Sequence, residues 1–372
     1  MSRISRTIPS TLALLILLFA GLIVGGESTA ISAQTRAYVT NNFDNTVSVI
    51  DVTTNTVIAT VPVGSFPLGV AVAPNGAHAY VTNTSGAGSV SVIETATNSV
   101  IATIPVGDGI TSAIPTDVAI TPDSSRVYVT DNGFNDVSVI DATTNTVIAT
   151  VAVGNSPGGI AITPNGLRAY VVNTSNNVSV IDTATNTVTA TIPVGSGPSR
   201  IAITPDGARA YVTNTFFDNT ISVIDTSTNT VVATIAGGFA PFGVAITPDG
   251  ARAFVTNLNG GDVSIIDIAT NTVIGSTGVV GDALAGVAIT PDGTRAYVAD
   301  GEAADVRVID TTSGTMTGDI VVGDSPRSIA MMSPAAPPKK RPKTKQDCMN
   351  GGYTDFEFKN QGQCIQFVNT GK

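Results

Sequence analysis

Residues 36–61, RAYVTNNFDNTVSVIDVTTNTVIATV, decide how this chain folds. The stretch holds three short apolar runs, and in Val47–Asp51 apolar and polar side chains alternate. Such alternation is typical of a half-buried strand, and the polar Thr-Asn-Thr that follows is typical of a tight turn. The stretch therefore predicts three antiparallel strands joined by short connections.

The same stretch returns along the chain, with its aromatic residue at spacings of 42, 48, 42, 41, 43 and 43 residues. The aromatic positions are Tyr38, Tyr80, Tyr128, Tyr170, Tyr211, Phe254 and Tyr297. A run of small and apolar residues, clearest in Gly243–Thr247, precedes a Pro-Asp-Gly turn and supplies a fourth strand to each unit. Four strands per ~40–45 residues are typical of a β-propeller blade. The recurring aromatic residue is accordingly interpreted as a packing position.

Prolines and the chain ends predict the arrangement within the ring. Proline interrupts the Val-Ile-Ala-Thr strand at Pro62, Pro105 and Pro193, which favours an outer edge for that strand, while the small-residue strand suits the crowded axis. The first repeat begins at Arg36 without an inner strand, and an extra run, 328–332, follows the last one. We therefore predict an all-β, seven-bladed propeller over residues 34–332. Its four-stranded blades form a ring in which the C-terminal strand completes the N-terminal blade.

The repeated motifs resemble a known family. Ala-Tyr-Val-Thr-Asn, Val-Ser-Val-Ile-Asp, Thr-Asn-Thr-Val and Ile-Thr-Pro-Asp-Gly are similar to the YVTN-family β-propeller repeats of bacterial and archaeal exported and surface-layer-associated proteins. The resemblance covers residues 36–332. It implies an extracellular setting and an interaction role, but no particular ligand.

The N-terminus is typical of a secretory signal. Arg3 and Arg6 precede the apolar run 12–24, which is too short for a ~30 Å hydrocarbon core and is followed by small residues. We predict a signal peptide over residues 1–33, a mature chain that begins near Ile31 or Gln34, and no transmembrane segment after cleavage. The protein is then secreted, free or attached to the cell surface. An uncleaved membrane anchor is the alternative.

The C-terminal end has a different composition. Residues 333–346 form a Pro- and Lys-rich linker whose charge would contact anionic surfaces, unless it is only a solvated spacer. Residues 347–372 resemble a short C-terminal module of other exported bacterial proteins. Because the chain is expected to be exported, Cys348 and Cys364 are predicted to form a disulfide.

The charge of the body argues against one class of partner. Residues 34–333 carry 9 Arg, no Lys and 24 Asp or Glu, hence a net charge of −15. Binding a phosphate backbone requires clustered basic side chains. No nucleic-acid partner is expected for the propeller.

No recognisable catalytic constellation is present in the sequence of the body. Its one histidine, His78, replaces a recurring arginine, and its only glutamates are Glu94 and Glu302. Neither a clustered zinc-ligand set nor a cofactor motif is visible, so we expect no catalytic residue, no metal and no cofactor. The recurring Asp51-type carboxylate is interpreted as a cap for the hairpin turn, with calcium binding as the alternative. A lactonase-like hydrolase or lyase with a site at the channel mouth is the alternative function.

Positions that depart from the repeat indicate where a partner binds. Asp117 and Arg200 stand where other units have glycine or serine at the entry of the inner strand, and Arg327 lies beside Ser328. These charges would form a polar channel mouth, or else be solvated rim charges. The link at 108–114 is also longer than the others, which is a mild indication of function.

Phenylalanines are also concentrated in the connections that the sequence places on this face. Phe43, Phe134, Phe216 and Phe217 lie in loops after the aromatic strand, and Phe66, Phe239 and Phe242 are assigned to links between blades. Both kinds of connection emerge on one face of a propeller, and exposed aromatic residues mark interaction surfaces. We predict that this face binds an extracellular protein or cell-envelope ligand. A self-assembling surface-layer component is a further alternative.

Overall fold

A computed structural model describes residues 35–107 and 113–333 of the chain. Within these residues 28 strands form seven antiparallel four-stranded sheets, six of which consist of four consecutive strands. The predicted signal peptide, linker and cysteine module lie outside the described residues.

The blades follow one another along the chain, and the strands of each blade are named from the innermost to the outermost. Blade one consists of β28 (Pro326–Met332), β1 (Arg36–Asn41), β2 (Thr46–Asp51) and β3 (Thr56–Pro62). Blade two consists of β4 (Pro67–Val72), β5 (His78–Asn83), β6 (Ser89–Glu94) and β7 (Ser99–Pro105). Blade three consists of β8 (Pro115–Ile120), β9 (Arg126–Asp131), β10 (Asp136–Asp141) and β11 (Thr146–Ala152). Blade four consists of β12 (Pro157–Ile162), β13 (Arg168–Asn173), β14 (Asn177–Asp182) and β15 (Thr187–Pro193).

The remaining three blades repeat this order. Blade five consists of β16 (Pro198–Ile203), β17 (Arg209–Asn214), β18 (Thr220–Asp225) and β19 (Thr230–Ala236). Blade six consists of β20 (Pro241–Ile246), β21 (Arg252–Asn257), β22 (Val263–Asp267) and β23 (Thr272–Ser276). Blade seven consists of β24 (Leu284–Ile289), β25 (Arg295–Asp300), β26 (Asp305–Asp310) and β27 (Met316–Val321).

The ring closes through the C-terminal strand, as the complementary ends predict. Strand β28 pairs antiparallel with β1, with Ala37 opposite Met331 and Val39 opposite Ile329, and it also contacts the inner strands β24 and β4. A seven-bladed propeller of four-stranded blades is therefore confirmed. Because the ring closes, the inner strand of blade one, β28, has a neighbouring inner strand on each side.

The core lies between the blades. The fully buried Tyr38 packs with Val49 of its own blade and with Val70 and Ile93 of the next, and six equivalent clusters complete the set. At the axis the inner strands approach closely. A Cβ atom on Gly69 would lie 2.8 Å from the Cα atom of Asp117 in the next blade. Small residues are required there because the neighbouring backbone occupies the space.

The recurring hairpin aspartates cap turns. In blade one, Asp51 Oδ1 accepts the backbone N–H of Thr53 at 2.7 Å, and Asp141 and Asp182 make the same contact in their blades. The Asn55-type position has a positive φ in all seven blades, from 52° at Asn98 to 71° at Gly314. Turn geometry therefore accounts for both recurring residues.

Candidate binding face

The propeller has two unlike faces. The turn face carries the turns between the inner and second strands of blades two to seven and the hairpin turns between the third and outer strands of all blades. The loop face carries the loops between the second and third strands and the links between blades. The topology places the first residue of every inner strand at the loop face, since each link leads directly into an inner strand.

Five phenylalanines are exposed on the loop face. Their exposed fractions are 94% for Phe217, 61% for Phe239, 58% for Phe43 and Phe216, and 44% for Phe66. The rings of Phe43 and Phe66, from blade one and its link, meet edge to face with centroids 6.4 Å apart. Phe216 and Phe217 belong to the loop of blade five, and Phe239 belongs to the link that leaves this blade. The exposed aromatic surface is thus concentrated at two places on the ring.

Two of these residues also hold an unfavourable backbone conformation. Phe66 has a φ of 54° and Phe217 a φ of 75°, in the left-handed region that a bulky side chain rarely adopts. Five of the seven links have this conformation at the Phe66 position, and Ser156, Gly197, Ala240 and Ser325 have φ values of 48–57° there. Smaller residues thus adopt the same conformation in four other links. Strained bulky residues cluster at functional sites.

Two other phenylalanines differ from the sequence prediction. Phe242 lies within the inner strand β20 and not in a link, and it is half-buried beneath the guanidinium of Arg200, whose Cζ atom is 4.7 Å from the ring centroid. Phe134 is half-buried against the link of the preceding blade, where a Cβ atom on Gly107 would lie 2.8 Å from its ring. Both rings are largely packing residues, which leaves the five exposed ones as candidate anchors.

Asp117 is the third residue of β8, near the loop-face end of the channel. Its carboxylate accepts the backbone N–H of Val118 at 2.9 Å and, from the next inner strand, that of Ile160 at 3.4 Å. Burial raises the pKa of Asp117, and the nearby charge of Arg200 opposes this shift. The Asp117 carboxylate is therefore fixed near the axis by hydrogen bonds and is not a freely solvated charge at the rim.

Arg200 takes part in a hydrogen-bonding scheme that links the blades. In five blades a threonine on the second strand accepts the N–H of the third inner-strand residue and donates to a carbonyl of the next inner strand. These threonines are Thr40, Thr82, Thr130, Thr213 and Thr256. Blades four and seven have Val172 and Ala299 instead. After blade four, the carbonyl of Ser199 accepts a hydrogen bond from the Arg200 guanidinium at 3.1 Å. Arg200 thus replaces a missing donor, and its position has a structural explanation.

Arg327 is the second residue of β28 and lies at the same end of the channel. Burial lowers its pKa from the ordinary value of an arginine. The structure places Asp117 and Arg200 third in their inner strands, two residues after the strand entry that the sequence analysis assigned to them, and Arg327 second in β28. Arg200 and Phe242 contact one another; the exposed phenylalanines belong to the surrounding loops and links.

The turn face offers few groups for catalysis or metal binding. Grooves of about 370 and 540 Å³ lie there between adjacent blades, lined by residues such as Asp123, Arg126, Asp206 and Asp249. His78 begins β5 at this face, on the opposite side from the phenylalanines. Within residues 35–107 and 113–333 no group of three or more His, Cys, Asp or Glu side chains is arranged to hold a metal ion. The same residues contain no helix suited to cross a bilayer.

Sequence reasoning missed two pairs of acidic residues at the loop face. Asp131 faces Asp136 in blade three, and Asp300 faces Asp305 in blade seven, where the other blades have an asparagine opposite one of several polar residues. The signal was present in the repeat, because asparagine changes to aspartate only at these two second-strand positions. Recognising it requires the strand register, which places residues five apart in sequence side by side.

Comparison with known proteins agrees with this architecture. Residues 163–261, from the fourth blade to the sixth, match the model of the YNCE-like beta-propeller family. No curated protein matches the sequence of the chain. The resemblance to a repeat-propeller family is confirmed, while the extracellular setting that it implies stays a prediction.

Solved structures share the fold. A hydrazine synthase structure from Kuenenia stuttgartiensis is 24% identical, covers 72% of this chain and 90% of that one, and has a TM-score of 0.65. A functionally unknown protein from Desulfotomaculum acetoxidans is 20% identical, covers 80% of this chain and 99% of its own, and has a TM-score of 0.69. The structure of dihydro-heme d1 dehydrogenase NirN in complex with DHE is 15% identical. The match covers 79% of this chain and 74% of that one, with a TM-score of 0.59. At these identities the likeness supports the fold alone.

Proposed function

We propose that this seven-bladed propeller is a binding module, without catalytic activity of its own, whose partner contacts the loop face. The observation that carries the proposal is the exposure of five phenylalanines on that face. A phenylalanine that is buried on association removes a large apolar area from water, and aromatic anchors dominate the energy of many interfaces. Exposed apolar clusters of this kind are uncommon on surfaces that contact only water.

The backbone of the loop face supports the same interpretation. Phe66 and Phe217 occupy left-handed positions, although glycine or a smaller residue would hold the same turn at lower cost. A side chain that is exposed and also destabilises its own loop contributes little to folding. Its contribution is therefore expected in the bound state.

The charge of the body restricts the partner. Residues 34–333 carry a net charge of −15, so a strongly acidic partner would be repelled. We propose a neutral or basic extracellular protein or cell-envelope ligand that presents apolar pockets to the phenylalanines.

The alternative of a hydrolase or lyase at the channel mouth has less support. Asp117 is engaged by two backbone N–H groups, and Arg200 is engaged by the Ser199 carbonyl and the Phe242 ring. Both groups already have structural partners, and no histidine lies at that end of the described residues. A general base needs a partner within hydrogen-bond reach of its substrate.

The test compares two triple variants of the secreted chain. The first replaces Phe216, Phe217 and Phe239 with serine. The second is a matched control that removes exposed apolar side chains elsewhere: Leu167→Ser on the turn face, with Val232→Thr and Ile274→Thr on outer strands.

Each chain is immobilised and exposed to cell-envelope extract, and the bound proteins and glycans are quantified. We expect the loop-face variant to lose at least nine-tenths of the bound partner, while the control retains it and both keep the wild-type melting temperature. Equal capture by the two variants would contradict the proposal. Concentration-dependent sedimentation of the wild type as oligomers, abolished by the loop-face substitutions, would identify a second copy of the chain as the partner.

A further inference from the structure

Each blade contains a polar pair where the end of its second strand faces the start of its third strand. In five blades the second-strand member is a buried asparagine that donates from Nδ2 to an oxygen across the pair, over 2.8–3.1 Å. These pairs are Asn41–Thr46, Asn83–Ser89, Asn173–Asn177, Asn214–Thr220 and Asn257–Asp262. The same amide also donates to a serine two residues further along the third strand, such as Ser48 at 2.9 Å. The side-chain amide of the asparagine thus donates hydrogen bonds to the oxygen atoms around it.

Blade seven has two carboxylates at this place and a cation between them. Asp300 replaces the asparagine, Asp305 faces it, and Arg307 replaces the serine. The Arg307 guanidinium lies 2.9 Å from Asp300 Oδ2 and 3.0 Å from Asp305 Oδ2. Its positive charge compensates the pair, as the proximity of two buried carboxylates requires.

Blade three has the same two carboxylates without the arginine. Asp131 faces Asp136, and Ser138 keeps the serine of the other blades. Among the described residues, the ion pairs are those of Arg307, so no basic side chain reaches Asp131 or Asp136. Blade three therefore repeats the two facing carboxylates of blade seven without a basic side chain beside them.

The free oxygens of the blade-three pair are buried. Asp131 is fully buried, and its Oδ1 atom accepts the backbone N–H groups of Ile114 at 2.9 Å and Gly133 at 3.0 Å. Its Oδ2 atom and Oδ1 of the half-buried Asp136 have no hydrogen-bond partner within the described part of the chain. Burial and the neighbouring Asp131 raise the pKa of Asp136 to about 6.

Buried oxygens without partners occur in the asparagine blades as well, but their chemistry differs. There the unpaired atom is the Oδ1 of a neutral amide, as in Asn41 and Asn83. Leaving a neutral amide oxygen unpaired costs much less free energy than burying an uncompensated carboxylate. The blade-three pair is therefore the position in this series that most requires an external positive charge.

We propose that Asp131 and Asp136 bind a calcium-type divalent cation at the loop face, in the place that the Arg307 guanidinium fills in blade seven. Hard cations of this type prefer carboxylate, hydroxyl and water oxygens, and calcium tolerates irregular coordination completed by water. Ser138 occupies the third-strand position that Arg307 occupies in blade seven, so its hydroxyl is the candidate for a third oxygen ligand. Asp136 is only half-buried, which leaves the ion a route from solvent. This site is independent of the proposed partner and needs no catalytic role.

The test measures calcium binding to the full chain after treatment with a chelator. Calcium chloride alone is titrated while thermal unfolding and binding heat are recorded. We expect one ion per chain, a melting temperature that rises with calcium concentration, and a dissociation constant of roughly 0.1–1 mM, as in extracellular calcium modules. Magnesium at the same concentration should give a smaller shift.

Two variants remove the site by copying other blades. Asp131→Asn with Asp136→Thr recreates the pair of blade one, and Ser138→Arg recreates the triad of blade seven. Both should abolish the calcium response and raise the melting temperature measured without calcium. Asp262→Thr is the matched control, because it removes a carboxylate at the equivalent place in blade six, where Asn257 donates to it at 2.8 Å. This control should keep the full calcium response.

Three results would overturn the proposal. One is a wild-type chain whose melting temperature does not respond to millimolar calcium. Another is a calcium response that survives in the Asp131→Asn, Asp136→Thr variant. The third is a chain that is stabilised by mild acid and not by calcium, since that result would assign a shared proton to the pair.

Discussion

Two residues that contact each other across a blade boundary depart from the repeat together in this ring. A tyrosine hydroxyl on the second strand donates to the turn asparagine of the next blade, as from Tyr211 to Asn271 at 2.6 Å. Phe254 lacks that hydroxyl, and the corresponding turn residue of the next blade is Gly314. Glycine keeps the positive φ of the turn, while the side-chain acceptor is lost together with its donor. The absence of this one hydrogen bond accounts for both departures from the repeat, Phe254 and Gly314.

The backbone conformation of Phe217 allows a prediction about stability. Because its φ is 75° and its ring is almost fully exposed, Phe217→Gly should raise the free energy of unfolding by about 1 kcal/mol. Guanidinium unfolding measures this. Phe239→Gly is the control, since this exposed residue has a negative φ and glycine there should lower stability. A destabilised Phe217→Gly chain would show that the ring supports its loop.

At the scale of strands and turns, an arginine latch joins adjacent blades. In five blades the arginine that begins the second strand donates to a backbone carbonyl of the next blade's turn, as from Arg168 to Thr226 at 2.6 Å and from Arg36 to Thr95 at 2.7 Å. Blade two has His78 at this position. There the Tyr80 hydroxyl and the Asn145 side-chain oxygen are buried without partners in the described structure. The boundary between blades two and three is therefore the least complete of these latches.

Completing this latch should stabilise the ring. His78→Arg places a guanidinium near the Ala142 carbonyl, which corresponds to that of Thr226, and should raise the free energy of unfolding by about 1 kcal/mol. The reciprocal change, Arg168→His, should lower it by a similar amount. Thermal unfolding of the two variants measures both effects. If His78→Arg is neutral while Arg168→His is destabilising, the latch does not extend to this boundary.

The blade pattern was predictable because it depends on local chemistry. Prolines mark the outer strands, glycines mark the inner strands, and the unmatched ends predict closure. The position of Phe242 was missed because a recurring signal, the proline that begins six of the seven inner strands, was not used. The inner strand begins at Pro241, where proline is tolerated as the first strand residue, and not at the glycine that follows Phe242. The Asp131–Asp136 pair was also missed, because its two members meet only through the register of β9 and β10.

The whole molecule separates structural from variable features by face. The turn face repeats nearly the same hairpin turns in seven blades, and six of the blades begin their second strand with the latch arginine. The loop face carries the exposed phenylalanines, the two left-handed aromatic residues and the Asp131–Asp136 pair. A ring of this kind supports a variable surface because closure and inter-blade cores hold each loop in place independently of its sequence.

The most direct test of the loop face as the binding surface is site-specific photocrosslinking. The photoreactive residue p-benzoylphenylalanine is placed either at Phe217 or at Leu167, a turn-face position whose side chain is 60% exposed. Each chain is irradiated in cell-envelope extract, and the crosslinked species are identified by mass spectrometry. We predict a discrete crosslinked partner from position 217 and none from position 167. The same partner in equal yield from both positions, or from position 167 alone, would contradict the assignment of the binding face.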